Sequence, residues 1–187
     1  MRKFMLAAVL AGALMTAGCT NVLSLKPFVK EGAAILDPAM AGTWMESDGG
    51  DVYVIQPKEG NRYDIAYVPS GNNDQGQRFE GQLFASGSAR FMDLTPNSGQ
   101  CMFCWPAHAL VRVWLTDTEL RFAFVDTEWF RQQIEKAGLP FEPHDDCMLL
   151  MSDTATLTAR VMPYAADSRA QAEKTGKGSG AVLHKKP

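Results

Sequence analysis

The chain has 187 residues, of which 46% are apolar and 21% charged, with a formal net charge of −3. That is enough apolar material for one domain with a sizeable core, plus tails. The acidic balance excludes nucleic acid as a partner, since binding it needs a basic footprint, and argues equally against electrostatic adsorption to anionic lipid.

Arg2 and Lys3 are followed by the uncharged run FMLAAVLAGALM. The run is shorter than the roughly 20 apolar residues that span a bilayer core. A positive start, a short apolar run and then small residues (Ala17-Gly18) make up a secretion signal. The stretch LMTAGC resembles the lipobox of bacterial lipoproteins, with Thr16 where that family usually carries Leu. The resemblance covers residues 1–20. It implies removal of a signal peptide at 1–18, attachment of diacylglycerol to Cys19, and a mature protein anchored by lipid in the cell envelope. Because Thr20 rather than Asp follows the cysteine, it also implies sorting to the outer membrane, facing the periplasm. The alternative is an ordinary secretion signal, with Cys19 free or disulfide-bonded. Removal of the leader takes two of the 18 basic residues and leaves a net charge of −5.

Residues 19–38 lack sustained periodicity and are expected to form a tether, with one short helix near FVKEGAAIL. A β-rich domain is predicted over 39–166. DVYVIQP and RYDIAYV read as strands joined by a turn at Gly60-Asn61, and RYDIAYV places Tyr63, Ile65 and Tyr67 on one face. ESDGGD reads as a hairpin turn and SGNNDQGQ as a loop. RFEGQLF and ARFMDL follow as strands, the latter stopped by Pro96. AHALVRVWL places Ala109, Val111, Val113 and Leu115 on one face and His108 and Arg112 on the other. After the turn TDT, ELRFAFV aligns Leu120, Phe122 and Phe124. A helix capped by Asp126 or Thr127 carries Trp129, Phe130, Ile134 and Ala137 on one face and ends at Gly138. CMLLM reads as a last buried strand. SDTATLTARVMPYAAD reads as a second helix, capped by Ser152 or Asp153, that Pro163 kinks or ends. The segment 167–187 is Gly- and Lys-rich and is predicted to be a disordered tail.

The expected fold is therefore mostly β (α+β): an antiparallel barrel or strongly curved sheet of about eight strands, with one or two helices near the C-terminal end. The opening GTW (Gly42, Thr43, Trp44) resembles the Gly-x-Trp of lipocalins, and LTDTEL is similar to a second short motif of that family. The resemblance implies that Trp44 plugs one barrel end and that the interior holds a small apolar ligand. The helix, however, follows the seventh strand here, whereas lipocalins place theirs after the eighth. A barrel of this size either fills itself with side chains or encloses one small ligand. The candidate cavity residues are Trp44, Tyr63, Ile65, Phe122 and Phe124.

Cys101, Cys104 and Cys147 stand in CMFCWPAH and HDDCMLLM, with His108 and His144 beside them. In an oxidising compartment a disulfide is the first expectation. Cys147 joined to Cys101 or Cys104 would close a loop of about 45 residues, worth about 4 kcal/mol in the chain-entropy account. The same five residues could hold zinc or copper, because two short local pairs can supply four ligands. Free thiols are the third possibility. A thioredoxin-like role does not fit, because CMFC precedes a strand rather than opening a helix. His144, Asp145 and Asp146 are adjacent loop residues that usually diverge into solvent, and no hydrolase, metalloprotease or phosphate-loop motif occurs. The sequence thus points to a non-enzymatic binder of a small apolar ligand. The alternatives are an interaction or structural module for another envelope protein and a Cys/His metal handler.

Overall fold

The computed structural model describes residues 22–47, 49–71, 76–97, 107–125, 127–144, 147–167 and 180–187. Its strands are β1 (Val22–Ser24), β2 (Gly42–Glu46), β3 (Val52–Lys58), β4 (Arg62–Val68), β5 (Gln77–Ser86), β6 (Ala89–Pro96), β7 (His108–Leu115), β8 (Glu119–Phe124), β9 (Phe141–His144), β10 (Cys147–Leu150) and β11 (Gly180–Lys185). Seven of them, β2 to β8, pair antiparallel in chain order, and β11 joins β8 to β2. The result is a closed eight-stranded barrel, as the strand pattern predicts. Closure leaves none of these eight strands with a bare edge.

Alternation sends every second side chain inward. Trp44, Ile55, Tyr63, Ile65, Leu83 and Val111 belong to one buried cluster inside the ring. The β3–β4 turn uses Gly60 and Asn61 at φ 73° and 55°, the left-handed conformations that a tight hairpin needs. The β7–β8 hairpin forms in the expected register, from Val111 opposite Phe124 to Leu115 opposite Leu120.

The outer wall of β5, β6 and β7 carries a second core. Phe84, Phe91 and Leu110 point outward from the ring and meet Phe28, Phe130 and Leu157. The helix α1 (Thr127–Lys136) supplies Phe130 and Ile134, both 0% exposed. It ends as expected, with Gly138 at φ 62°. Thr127 does not cap its start, since its hydroxyl is buried without a hydrogen-bond partner among the described residues.

The second helical stretch runs unbroken from Thr154 to Ala165, where a kink or stop at Pro163 was expected. Asp153 caps it by accepting the Thr156 N–H at 2.8 Å. Residues Leu157–Val161 form a π-helical turn just ahead of Pro163, which lies in the first turn of the closing α-helical segment, Met162–Ala165. Proline at a helix start forfeits no bond, and the wider turn avoids the clash of an interior proline.

Three expectations are overturned. First, the segment predicted as a tether over 19–38 is packed from Val22 onward. Val22, Phe28 and Val29 are at most 5% exposed, and Ile35 bridges to Leu83. No helix forms near FVKEGAAIL. The segment instead runs as an irregular strap whose apolar residues dock one at a time, which leaves no period to detect. Second, CMLLM is a buried strand as expected, with Met148 and Leu150 at 0% exposure, but it is not the last one and stands outside the barrel. As β10 it pairs parallel with β1 and antiparallel with β9, and β1 pairs antiparallel with the start of β7, so the three strands branch from the barrel sheet at that point. Third, the predicted disordered tail contains the closing strand β11. Its Ala181 and Leu183 pack with the inner core, but the Gly- and Lys-rich flanks hide so short an alternation.

Candidate functional site in the barrel interior

The two ends of the barrel differ. At the lower end the connections β3–β4, β5–β6 and β7–β8 are short turns, and the strap from Ile35 to Ala41 lies across the opening. A 3₁₀ turn at Pro38–Met40 is capped by Asp37 and buries Met40. Beneath it Trp44 is fully buried and donates its indole N–H to the Met40 carbonyl at 2.9 Å. Lys185 lies 5.2 Å above the Trp44 ring centre and donates to the Ala39 carbonyl at 3.0 Å. The Tyr63 hydroxyl accepts the Asp37 N–H at 2.7 Å, and Arg90 pairs with the Asp37 carboxylate at 2.7 Å. These contacts cover the floor, where Leu115 beside the β7–β8 turn stays partly buried.

The upper end carries the longer connections β2–β3, β4–β5 and β6–β7. Here the inward side chains Tyr53, Phe79, Leu94, Phe122, Phe124 and Ala181 are only partly buried. An inward side chain of a closed barrel meets solvent only through an opening or an internal space. The exposure reaches Phe122, which stands opposite Val113 on β7 and Ala181 on β11. Tyr53 packs 5.2 Å from Tyr67 and 5.5 Å from Phe122, the latter edge-on. The Tyr67 hydroxyl donates to Asp51 at 2.6 Å, and the Ser70 N–H donates to the same carboxylate at 2.9 Å. Although burial opposes ionisation, these bonds hold the Asp51 carboxyl below its ordinary pKa. Burial foremost, then the neighbouring acidic groups of Tyr67, Glu46 and Asp51, pushes the Tyr53 phenol well above its ordinary value.

Of the predicted cavity residues, Trp44 and Tyr63 belong to the floor. Ile65 is buried at 7% exposure, and Phe122 and Phe124 line the open half. Tyr53 and Phe79 were missed as lining residues, although period-two alternation through DVYVIQP and RFEGQLF places both inward.

His108 and Arg112 lie on the outer wall. His108 Nδ1 is 2.7 Å from Asp93 Oδ1, and Asp93 Oδ2 accepts the Phe28 N–H at 2.8 Å. Asp93 is 3% exposed, and this pair fastens the strap to the barrel. Asp93 was also missed, although a carboxylate sharing an outward face with Phe91 and Ala89 was the available signal. The Arg112 guanidinium lies 5.2 Å from the Phe91 ring and 5.3 Å from the Trp114 ring. His144 and Cys147 are paired in register at the adjoining ends of β9 and β10. Cys19, Cys101 and Cys104 lie outside the described residues, as do the side chains of His144 and Cys147, so the disulfide and metal expectations fall there too. Among the described residues, no three His, Cys, Asp or Glu side chains converge as a metal site.

Comparison of the chain with protein-family models, curated proteins and solved structures finds no match.

Proposed function

We propose that the protein is a lipid-anchored envelope lipoprotein whose barrel binds a small apolar ligand in its upper half. One observation carries the binding role: a ring covered below by Trp44 and its strap keeps inward aromatic side chains partly uncovered above. Exposed aromatic surface of that kind gains from covering by a guest at about 25 cal/mol per Å². The lipobox-like stretch ending at Cys19 supports the anchor, the outer-membrane location and the periplasmic orientation. A role as a docking module for another protein is less well supported. Among the described strands β9 is the outermost one, and Pro143 interrupts its row of donors.

The neutral fluorophore N-phenyl-1-naphthylamine tests the binding role. Saturable fluorescence enhancement is expected, and Ala181→Trp, which fills the space, should abolish it. No saturable uptake by the folded protein would overturn the reading. Mass analysis of protein extracted from host membranes tests the anchor. A diacylated chain beginning at Cys19 is expected, and an intact leader or an unmodified Cys19 would remove it.

A further inference from the structure

We infer that the barrel mouth selects apolar ligands bearing a cationic head, such as an alkylamine or quaternary ammonium, over fatty carboxylates. The inference rests on the binding role proposed above and assigns its chemistry. Among the described residues, inward-facing charge is segregated along the barrel axis. The basic groups, Arg90 and Lys185, are at the floor, and each is already engaged: Arg90 by Asp37, Lys185 by the Ala39 carbonyl and the Trp44 ring. At the mouth the charged groups beside Tyr53 are carboxylates, those of Glu46 and Asp51. Neither forms an ion pair with a Lys or Arg among the described residues.

Aromatic rings stand directly beneath these carboxylates. Tyr53, Tyr67 and Phe122 pack at ring separations of 5.2 and 5.5 Å with tilted or edge-on planes. Neither pair is stacked face to face, and aromatic faces attract cations, quaternary ammonium above all. The Asp51 carboxylate is fixed by Tyr67 and Ser70, so it is oriented before a ligand arrives. A fatty carboxylate in the same position would meet two negative groups and electron-rich rings, with no cation among the described residues of the mouth to receive it. An apolar tail would lie against Phe79, Leu94 and Phe124, the partly buried apolar side chains of the upper half.

Displacement of N-phenyl-1-naphthylamine by single-chain amphiphiles below their micelle-forming concentrations tests this. Dodecyltrimethylammonium is expected to displace the probe at about one tenth of the concentration that dodecanoate needs, or less. The isosteric double variant E46Q/D51N should bring the ratio close to one while still taking up the neutral probe. Uptake of the probe with dodecanoate as effective as the ammonium, or more so, would overturn the cationic preference and leave the apolar binding role standing. Failure of the folded protein to take up the neutral probe at all would overturn the binding role, and this inference with it.

Discussion

The barrel wall separates two cores that are built in different ways. The inner core is assembled almost wholly by strands, each contributing one to three side chains from its inward face, with Met40 of the strap's 3₁₀ turn added at the floor. The outer core is assembled from five kinds of segment: the strap at 22–41, the outward face of β5 to β7, the helix α1, the strand β10, and the helical stretch after it. The outer core is fully buried at its centre, with Phe28, Phe91, Phe130 and Leu157 all at 0% exposure, and Phe141 and Tyr164 are partly buried at its margin. The inner one is covered only in its lower half. Rigidity is therefore concentrated outside the ring and around its floor, while the upper interior keeps uncovered apolar surface. That division suits a binding protein, whose site stays accessible while the stability comes from elsewhere.

The contrast can be broken most severely at its seam. Deleting residues 180–187 removes β11 and uncovers the edges of β2 and β8, both bonded to it along their length. The expected outcome is loss of cooperative unfolding in circular dichroism and association seen by size-exclusion chromatography, because open edges pair with other chains. A surviving monomer with native melting would show that the outer core suffices alone. Paired truncations then compare the two cores directly. Phe130→Ala, in the outer core, should cost about 3–5 kcal/mol in urea unfolding. Phe124→Ala, in the open half, should cost about 1–2 kcal/mol, because less apolar area leaves contact with protein. Equal costs would mean that the upper interior is packed as tightly as the outer wall.

The smallest effect concerns the mouth. The Asp51 carboxyl titrates lower in the folded state than in the unfolded chain, so its ionisation adds stability above the ordinary carboxylate pKa of about 4. That contribution is lost as pH falls through the lowered folded value. The group is only partly buried and keeps contact with solvent, so the stability difference between wild type and Asp51→Asn should be at most about 1 kcal/mol at neutral pH and should vanish in acid. Thermal melts across pH 2 to 7 would check the sign.

Most of the inner core was legible because a strand declares its buried face by alternation. Tyr63, Ile65, Phe122 and Phe124 could be placed together from spacing alone, and so could the β7–β8 hairpin. The outer core was not legible in the same way. Phe28 and Val29 stand among charged and small residues, and their burial depends on a docking surface assembled from distant strands. β11 was missed because six residues flanked by glycine and lysine carry too little pattern to stand out. The His108–Asp93 contact joins two strands through their outward faces, and single-strand periodicity gives no sign of such a partner. The division of the barrel into a covered floor and an open mouth was equally hidden, since it depends on the strap crossing one end.

The strap also governs how the molecule would stand on its membrane. Val22, the first residue of β1, is 1% exposed. If Cys19 carries the acyl chains, the link between them is so short that, even pulled straight, it reaches only about 10 Å. The zone of lipid headgroups takes up about 5–7 Å of that distance. The folded body would then press directly on the leaflet with no stalk beneath it, confined to gliding in two dimensions.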